Sequence, residues 1–175
     1  MSVLITGTPG SGKTTLVAYA KSKHDKRFFD ADEIPGLCEW REFKTGKLVG
    51  LVGEVTVISG DEWYKKHGWY WNMDRLQELL DNNPDAILCG SSENVADCYK
   101  LFSHIILLRK SEEDLLRNLQ SPDRQNPFGK STKQRAGFMK WQGYLIKEAQ
   151  SYPHSFIDGN EISKTYESVL QRLAQ

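Results

Sequence analysis

Cysteine is scarce in this chain: Cys38, Cys89 and Cys98 are the three among 175 residues. An odd number with no metal-ligand spacing excludes a disulfide-stapled scaffold and a cysteine zinc site, and predicts a reducing, cytoplasmic setting. No sign of charge prevails either. Lys+Arg and Asp+Glu number 23 each, so there is no global positive field to gather nucleic acid or an anionic membrane surface. No apolar run approaches the roughly 20 residues that cross a bilayer, and no charged-then-apolar leader precedes the first strand-like residues. Internal repeats and low-complexity tracts are missing. What remains is an ordinary apolar fraction, 39%, over a length that suits a single domain spanning 1–175, as a monomer or small homo-oligomer.

Against that plain background one segment stands out. Residues 7–14 read Gly-Thr-Pro-Gly-Ser-Gly-Lys-Thr, the phosphate-binding (Walker A) pattern G-x-x-x-x-G-K-[ST]. It follows a buried-strand run, Ser2 to Thr6, and opens a helical run from Thr14 to Ala20, which is the context the motif needs. A polyphosphate must lie against bare backbone. Gly7, Gly10 and Gly12 permit the tight turn, and the amide hydrogens from Gly10 to Thr14 converge at a helix start whose dipole favours negative charge. The predicted contacts are Gly7, Pro9, Gly10, Ser11, Gly12, Lys13, Thr14 and Thr15. Lys13 is to reach the β- and γ-phosphates, and the Thr14 hydroxyl is to ligate Mg²⁺.

Further short apolar runs at 27–30, 86–90, 104–108 and 154–158 read as buried parallel strands. Between them lie helical stretches at about 13–24, 73–82, 93–100, 111–120, 131–151 and 160–174. This alternation predicts an α/β protein of three layers with the P-loop nucleoside triphosphate hydrolase fold. Its parallel sheet would have about five strands with helices on both faces, and ligands at the strands' carboxyl ends. Two spans break the alternation. Residues about 35–72 carry six glycines and four of the five tryptophans without a clear amphipathic helix, and read as a substrate-facing insertion. Residues about 118–130 are polar and rich in breakers, as a closing lid would be.

The second strand runs into Asp30-Ala31-Asp32. Period-two alternation puts both carboxylates, Asp30 and Asp32, on one side at the edge that bears the phosphate loop, where one could hold Mg²⁺ through water and the other accept a proton. Basic residues cluster at the lid, with Arg117 and Arg124 foremost as cations for a transferred phosphoryl group. After the third core strand, Gly90 is expected to let a ligand approach the backbone, with Ser91, Glu93 or Asn94 as polar contacts. The aromatics at 63–71 around His67 are either a stacking wall for a flat substrate or the packing of the insertion onto the sheet.

The motif at 7–14, Asp30-x-Asp32 and the arginines Arg117 and Arg124 seven apart together resemble the small P-loop kinases of the shikimate kinase and adenylate kinase group. The resemblance covers most of the chain outside 35–72. It implies ATP-dependent phosphoryl transfer to a small-molecule acceptor, with ATP and Mg²⁺ required. By that match Asp30 assists Mg²⁺, Asp32 holds the acceptor hydroxyl, Arg117 lies near adenine, Arg124 lies near the transferred phosphate, and adenine packs on Asp158-Gly159-Asn160. Cys89-Gly90-Ser91-Ser92 carries neither the glycine triplet of shikimate kinases nor the Asp-Gly-x-Pro-Arg of adenylate kinases, so neither acceptor is implied. A nucleotide-binding ATPase or switch module is the rival reading, weakened by the lack of Asn-Lys-x-Asp and Asp-x-x-Gly. A kinase acting on a macromolecular end is a third.

Overall fold

The computed structural model describes residues 1–51, 61–121 and 132–174. Five strands form one parallel sheet: β1 (Val3–Thr6), β2 (Phe28–Asp30), β6 (Ile87–Cys89), β7 (His104–Arg109) and β8 (His154–Asp158), in the order β2-β6-β1-β7-β8. The three inner strands are apolar almost throughout because helices cover both faces. β8, at the sheet's edge, instead alternates buried Ser155 and Ile157 with more open neighbours, so its outward positions meet solvent.

Successive residues of each inner strand feed two separate cores. Leu4, Leu88, Ile105 and Leu107 pack on one face with α3 (Met73–Asn82), α4 (Val95–Cys98) and α6 (Thr132–Ala149). Val3, Ile5, Ile87, Cys89, Ile106 and Leu108 pack on the other with α1 (Lys13–Ser22) and α7 (Ile162–Leu173). The result is the three-layer architecture that the strand and helix alternation predicts. α3 begins where Asn72 accepts the Arg75 amide at 3.1 Å, a side-chain N-cap. α5 (Glu112–Gln120) is capped in the same way by Ser111, which accepts the Asp114 amide.

The span between β2 and α3 differs from its sequence reading, which assigned it no regular elements. Its described residues form a second sheet, antiparallel, of β3 (Cys38–Glu42), β4 (Leu48–Leu51) and β5 (His67–Trp71) in the order β4-β3-β5, with α2 (Asp61–Tyr64) preceding β5. Cys-Glu-Trp-Arg-Glu and His-Gly-Trp-Tyr-Trp are strand sequences rich in aromatic residues. Trp40 pairs with Trp69, their rings edge to face at 5.0 Å. Leu37, Cys38 and Trp71 carry this sheet into the main core. No helix among the described residues is long and apolar enough to cross a membrane.

Candidate functional site

All five parallel strands deliver their carboxyl ends to one edge of the sheet. β1 delivers the phosphate loop there. Gly10 and Gly12 have φ of 88° and 106°, a region that side chains other than glycine's strain to adopt. Gly12 sits at the start of α1, where no side chain caps the helix and the first turn holds no acidic residue. Among the described residues, its leading amides therefore have no side-chain cap and no first-turn carboxylate to satisfy them. Neighbours fix the loop's shape. A Cβ on Gly7 would come within 2.8 Å of the Leu108 carbonyl, one on Gly10 within 3.2 Å of Leu119, and Asn118 donates its side-chain amide to the Gly10 carbonyl at 2.9 Å. Sequence reasoning placed Asn118 and Leu119 in the helical stretch 111–120 and at the start of the span 118–130 read as a lid; the structure puts both on α5, and their contact with the phosphate loop carried no signal because it comes from a helix folding back 108 residues later in the chain.

Lys13 lies across the loop, its ammonium donating to the carbonyls of Gly7 (2.6 Å) and Thr8 (3.0 Å) and reaching Ser11 Oγ at 3.4 Å. Thr14 and Thr15 are exposed on the first turn, whereas Ser11 is buried and Pro9 half-buried.

Beside the loop, β2 ends at Asp30, and here the geometry corrects the alternation argument. Asp32 is not on an extended strand: Ala31–Glu33 form one 3₁₀ turn, and Asp30 Oδ1 accepts the Asp32 amide at 3.1 Å. The two carboxylates still converge, now through a cap rather than a pleat. Asp32 keeps a solvent-facing surface, yet burial of its carboxyl and, next, the charge of Asp30 raise its pKa above the ordinary aspartate value, while Lys13 opposes the shift. Lys13, Asp30 and Asp32 thus share one electrostatic environment at the sheet edge. The buried Cys38 thiol approaches Asp32 Oδ1 at 3.7 Å and the Ala31 carbonyl at 3.3 Å. Burial, reinforced by Asp32, pushes that thiol's pKa up, so it is neutral.

Gly90 corrects a second expectation. A Cβ there would come within 2.6 Å of both the Ala31 Cβ and the Trp71 ring. The approach that requires glycine is made by an indole of the second sheet, not by a ligand. Asn94 is likewise occupied: it accepts the Trp71 amide at 2.9 Å, donates to the Trp71 carbonyl at 3.0 Å and accepts the Ser92 hydroxyl. Trp71 is 1% exposed, and Trp63 stacks on His67 at 3.8 Å between ring centroids, so these aromatics of 63–71 are engaged in packing. Gly90→Ala is expected to cost about 1–3 kcal/mol by overpacking, lowering Tm by roughly 2–4 °C per kcal/mol; a thermal melt checks it.

On the far side of the phosphate loop, β8 ends in Asp158-Gly159. Asp158 Oδ1 accepts the Asn160 amide at 2.7 Å. Any Cβ on Gly159 would collide with the Ser11 carbonyl, so this loop lies directly against the phosphate loop. Arg117 is exposed on α5 and pairs with Asp114 (2.9 Å) and Glu113 (3.2 Å) of its own helix. Such surface pairs hold a side chain weakly and leave it able to move to a ligand. Arg124 and most of the span proposed as a lid fall outside the described residues.

No protein-family model matches this chain. No curated protein matches it either. Solved structures do. A deoxyadenosine kinase from M. mycoides with bound dATP superposes over 100% of both chains with a TM-score of 0.63 at 14% identity. A shikimate kinase from Acinetobacter baumannii in complex with shikimate covers 99% of this chain and 92% of its own, with a TM-score of 0.62 at 16% identity. The shikimate kinase of Aquifex aeolicus covers 99% and 96%, with a TM-score of 0.57 at 13% identity. At such identities the likeness speaks to architecture, and the chain has the three-layer α/β P-loop fold that these small P-loop kinases share.

Proposed function

We propose that the protein transfers the γ-phosphoryl group of ATP to a hydroxyl of a small-molecule acceptor. The observation that carries this reading is the convergence of Lys13 on the phosphate loop with the Asp30–Asp32 pair at the end of β2, two strands away. A phosphate cradle alone serves hydrolases and switches as well. A cradle with a carboxylate of raised proton affinity beside it suits an enzyme that must also accept a proton from an attacking hydroxyl. The solved kinases that share the fold support the same class of reaction.

The work divides among the chain's own groups. The first-turn amides of α1 and the loop amides would hold the phosphate chain, and Lys13 would turn from the Gly7 and Thr8 carbonyls to the β- and γ-phosphate oxygens. Asp32 would orient the acceptor hydroxyl and take its proton as the new O–P bond forms and the bond to the leaving ADP oxygen breaks. Asp158 and Gly159 with Arg117 would border the adenine. Arg124, a residue known here from sequence alone, would stabilise charge on the moving group. The donor set suits Mg²⁺: a solvent-facing Thr14 hydroxyl and the Asp30 carboxylate, both hard oxygens, leave other positions to phosphate and water. Bound there, the ion would neutralise charge developing between the β- and γ-phosphates.

Two consequences separate these roles. Asp30→Asn preserves the cap on the 3₁₀ turn, since asparagine caps as well as aspartate, yet weakens an ion's ligand field. The Mg²⁺ concentration giving half-maximal rate is expected to rise about 10-fold or more, read from a Mg²⁺ titration at fixed ATP. Arg124→Ala is expected to lower transfer by about 10²-fold or more while changing ATP affinity little, read from kcat beside an equilibrium ATP titration. The reaction class itself is tested by incubating the purified protein with ATP and Mg²⁺ and a panel of nucleosides, nucleotides, sugars and hydroxy acids. One or more acceptors should accelerate ADP formation. ADP formation indifferent to every acceptor would leave a nucleotide hydrolase instead.

A further inference from the structure

Lys110 follows β7 directly and takes no part in the phosphate-loop motif. Its Cε lies 3.8 Å from the place of a Cβ on Gly12 and 3.4 Å from that on Gly159. The side chain therefore runs along the seam between the phosphate loop and the loop after β8. Burial lowers its pKa from the ordinary lysine value, and the fields of two carboxylates, Asp114 on α5 and Asp158 at the end of β8, only partly oppose that. Both carboxylates are engaged elsewhere. Asp114 accepts the Ser111 hydroxyl at 2.6 Å and Arg117 at 2.9 Å, and Asp158 accepts the Asn160 amide at 2.7 Å. Among the described residues Lys110 makes no ion pair. A cation drawn partly out of water and not matched by a bonded anion is costly to hold unless a ligand completes it.

Lys13 and Lys110 stand on opposite limbs of the same loop. Lys13 is bonded to the carbonyls of Gly7 and Thr8; Lys110 crosses at Gly12, where the amides of α1 begin. A phosphate chain laid on those amides would pass between the two. We infer that Lys110 is a second cation of the polyphosphate site, binding the nucleotide's phosphate chain from the Gly12 side while Lys13 binds it from the Gly7 side. The inference rests on the phosphate-loop reading and is independent of the acceptor's identity. Lys110 lies away from the Asp30–Asp32 end of the site, so its contribution goes to binding more than to the chemical step. Its loss should raise KM for ATP more than it lowers kcat.

Equilibrium titrations with ATP and with inorganic tripolyphosphate test this on the intact protein and on Lys110→Met, Lys110→Arg and Lys13→Met. Methionine keeps an apolar stem across the seam and removes the charge; arginine keeps the charge. Lys110→Met should bind both ligands about 10-fold more weakly or worse, Lys110→Arg should recover most of that loss, and the two variants should melt like the wild type. Wild-type affinity in Lys110→Met, with Lys13→Met impaired, would overturn the role of Lys110 and leave the phosphate loop standing. A loss shared equally by Lys110→Arg and accompanied by a lowered Tm would also overturn it, as a packing effect at the seam. If the wild type binds neither ligand, the phosphate-loop reading falls, and the inference with it.

Discussion

Lys13→Ala is expected to reduce kcat/KM for ATP by roughly 10²–10³-fold, the largest loss from any single side chain outside the acceptor site. Lys13 reaches two carbonyls and the Ser11 hydroxyl of its own loop, and the inward face of α1 is made by other residues. Leu16, Val17 and Ala20 hold that helix on the sheet. The hydrogen bonds lost are worth about 0.5–1.5 kcal/mol each, rising to about 1–3 kcal/mol for an acceptor left unpaired, since Gly7, Thr8 and Ser11 are buried. A folded protein with a drop in Tm of a few degrees is therefore anticipated. Against that small structural cost stands the loss of a point charge aimed at oxygens whose charge shifts during transfer, in a site already lined by backbone dipoles. A thermal melt, an ATP titration and a turnover assay on one preparation read both effects. Unchanged binding and turnover in a folded variant would remove the phosphate loop from the mechanism.

Asp32→Asn isolates basicity. Size and hydrogen-bonding shape are kept, Asp30 still caps the turn through the backbone amide of residue 32, and the phosphate loop is not altered. A positioned general base contributes on the order of 10²-fold or more to proton transfer, so kcat should fall by about that factor while ATP affinity holds. pH gives an independent reading. Burial and the neighbouring Asp30 charge raise the Asp32 pKa above 3.8, and only the ionised form can accept a proton. Activity is accordingly expected to fall as pH drops through that raised value, with the acid limb above the pH at which an ordinary aspartate titrates. Asp30→Asn removes the like charge, so it should move the same limb to lower pH. Should the acid limb be identical in both proteins, Asp32 is not the titrating base.

Much of this was legible in the chain itself. The apolar runs at 2–6, 86–90 and 104–108 mark central strands because helices cover both their faces, and the helical stretches read at 73–82 and 111–120 coincide with α3 and α5, which Asn72 and Ser111 cap. The tight turn at 7–14 was readable because the motif sets particular residues at fixed spacing, and Gly10 and Gly12 take the positive φ it needs. The second sheet was not. In Cys-Glu-Trp-Arg-Glu and His-Gly-Trp-Tyr-Trp, alternation is masked by indoles and by Glu39, which is buried and bonded to Arg41 at 2.6 Å, and the two strands meet only across an intervening stretch of chain. Gly90 misled for a related reason. A strand-end glycine signals close approach, but sequence does not say what approaches, and here it is Trp71. Lys110 and Asn118 carry no local signal at all; both reach the phosphate loop through the packing of β7, α5 and the loop after β8.

The central claim is that Lys13 and the aspartate pair form one phosphoryl-transfer site. It is tested most directly by following ATP labelled at the γ-phosphate through a single turnover with the acceptor that most stimulates ADP formation, in the wild type and in Asp32→Asn. The label should leave ATP and appear in a phosphorylated acceptor, one for each ADP formed, and Asp32→Asn should slow that transfer by about 10²-fold without loosening ATP. Label recovered wholly as inorganic phosphate, at a rate unaltered by acceptor or by Asp32→Asn, would contradict the account.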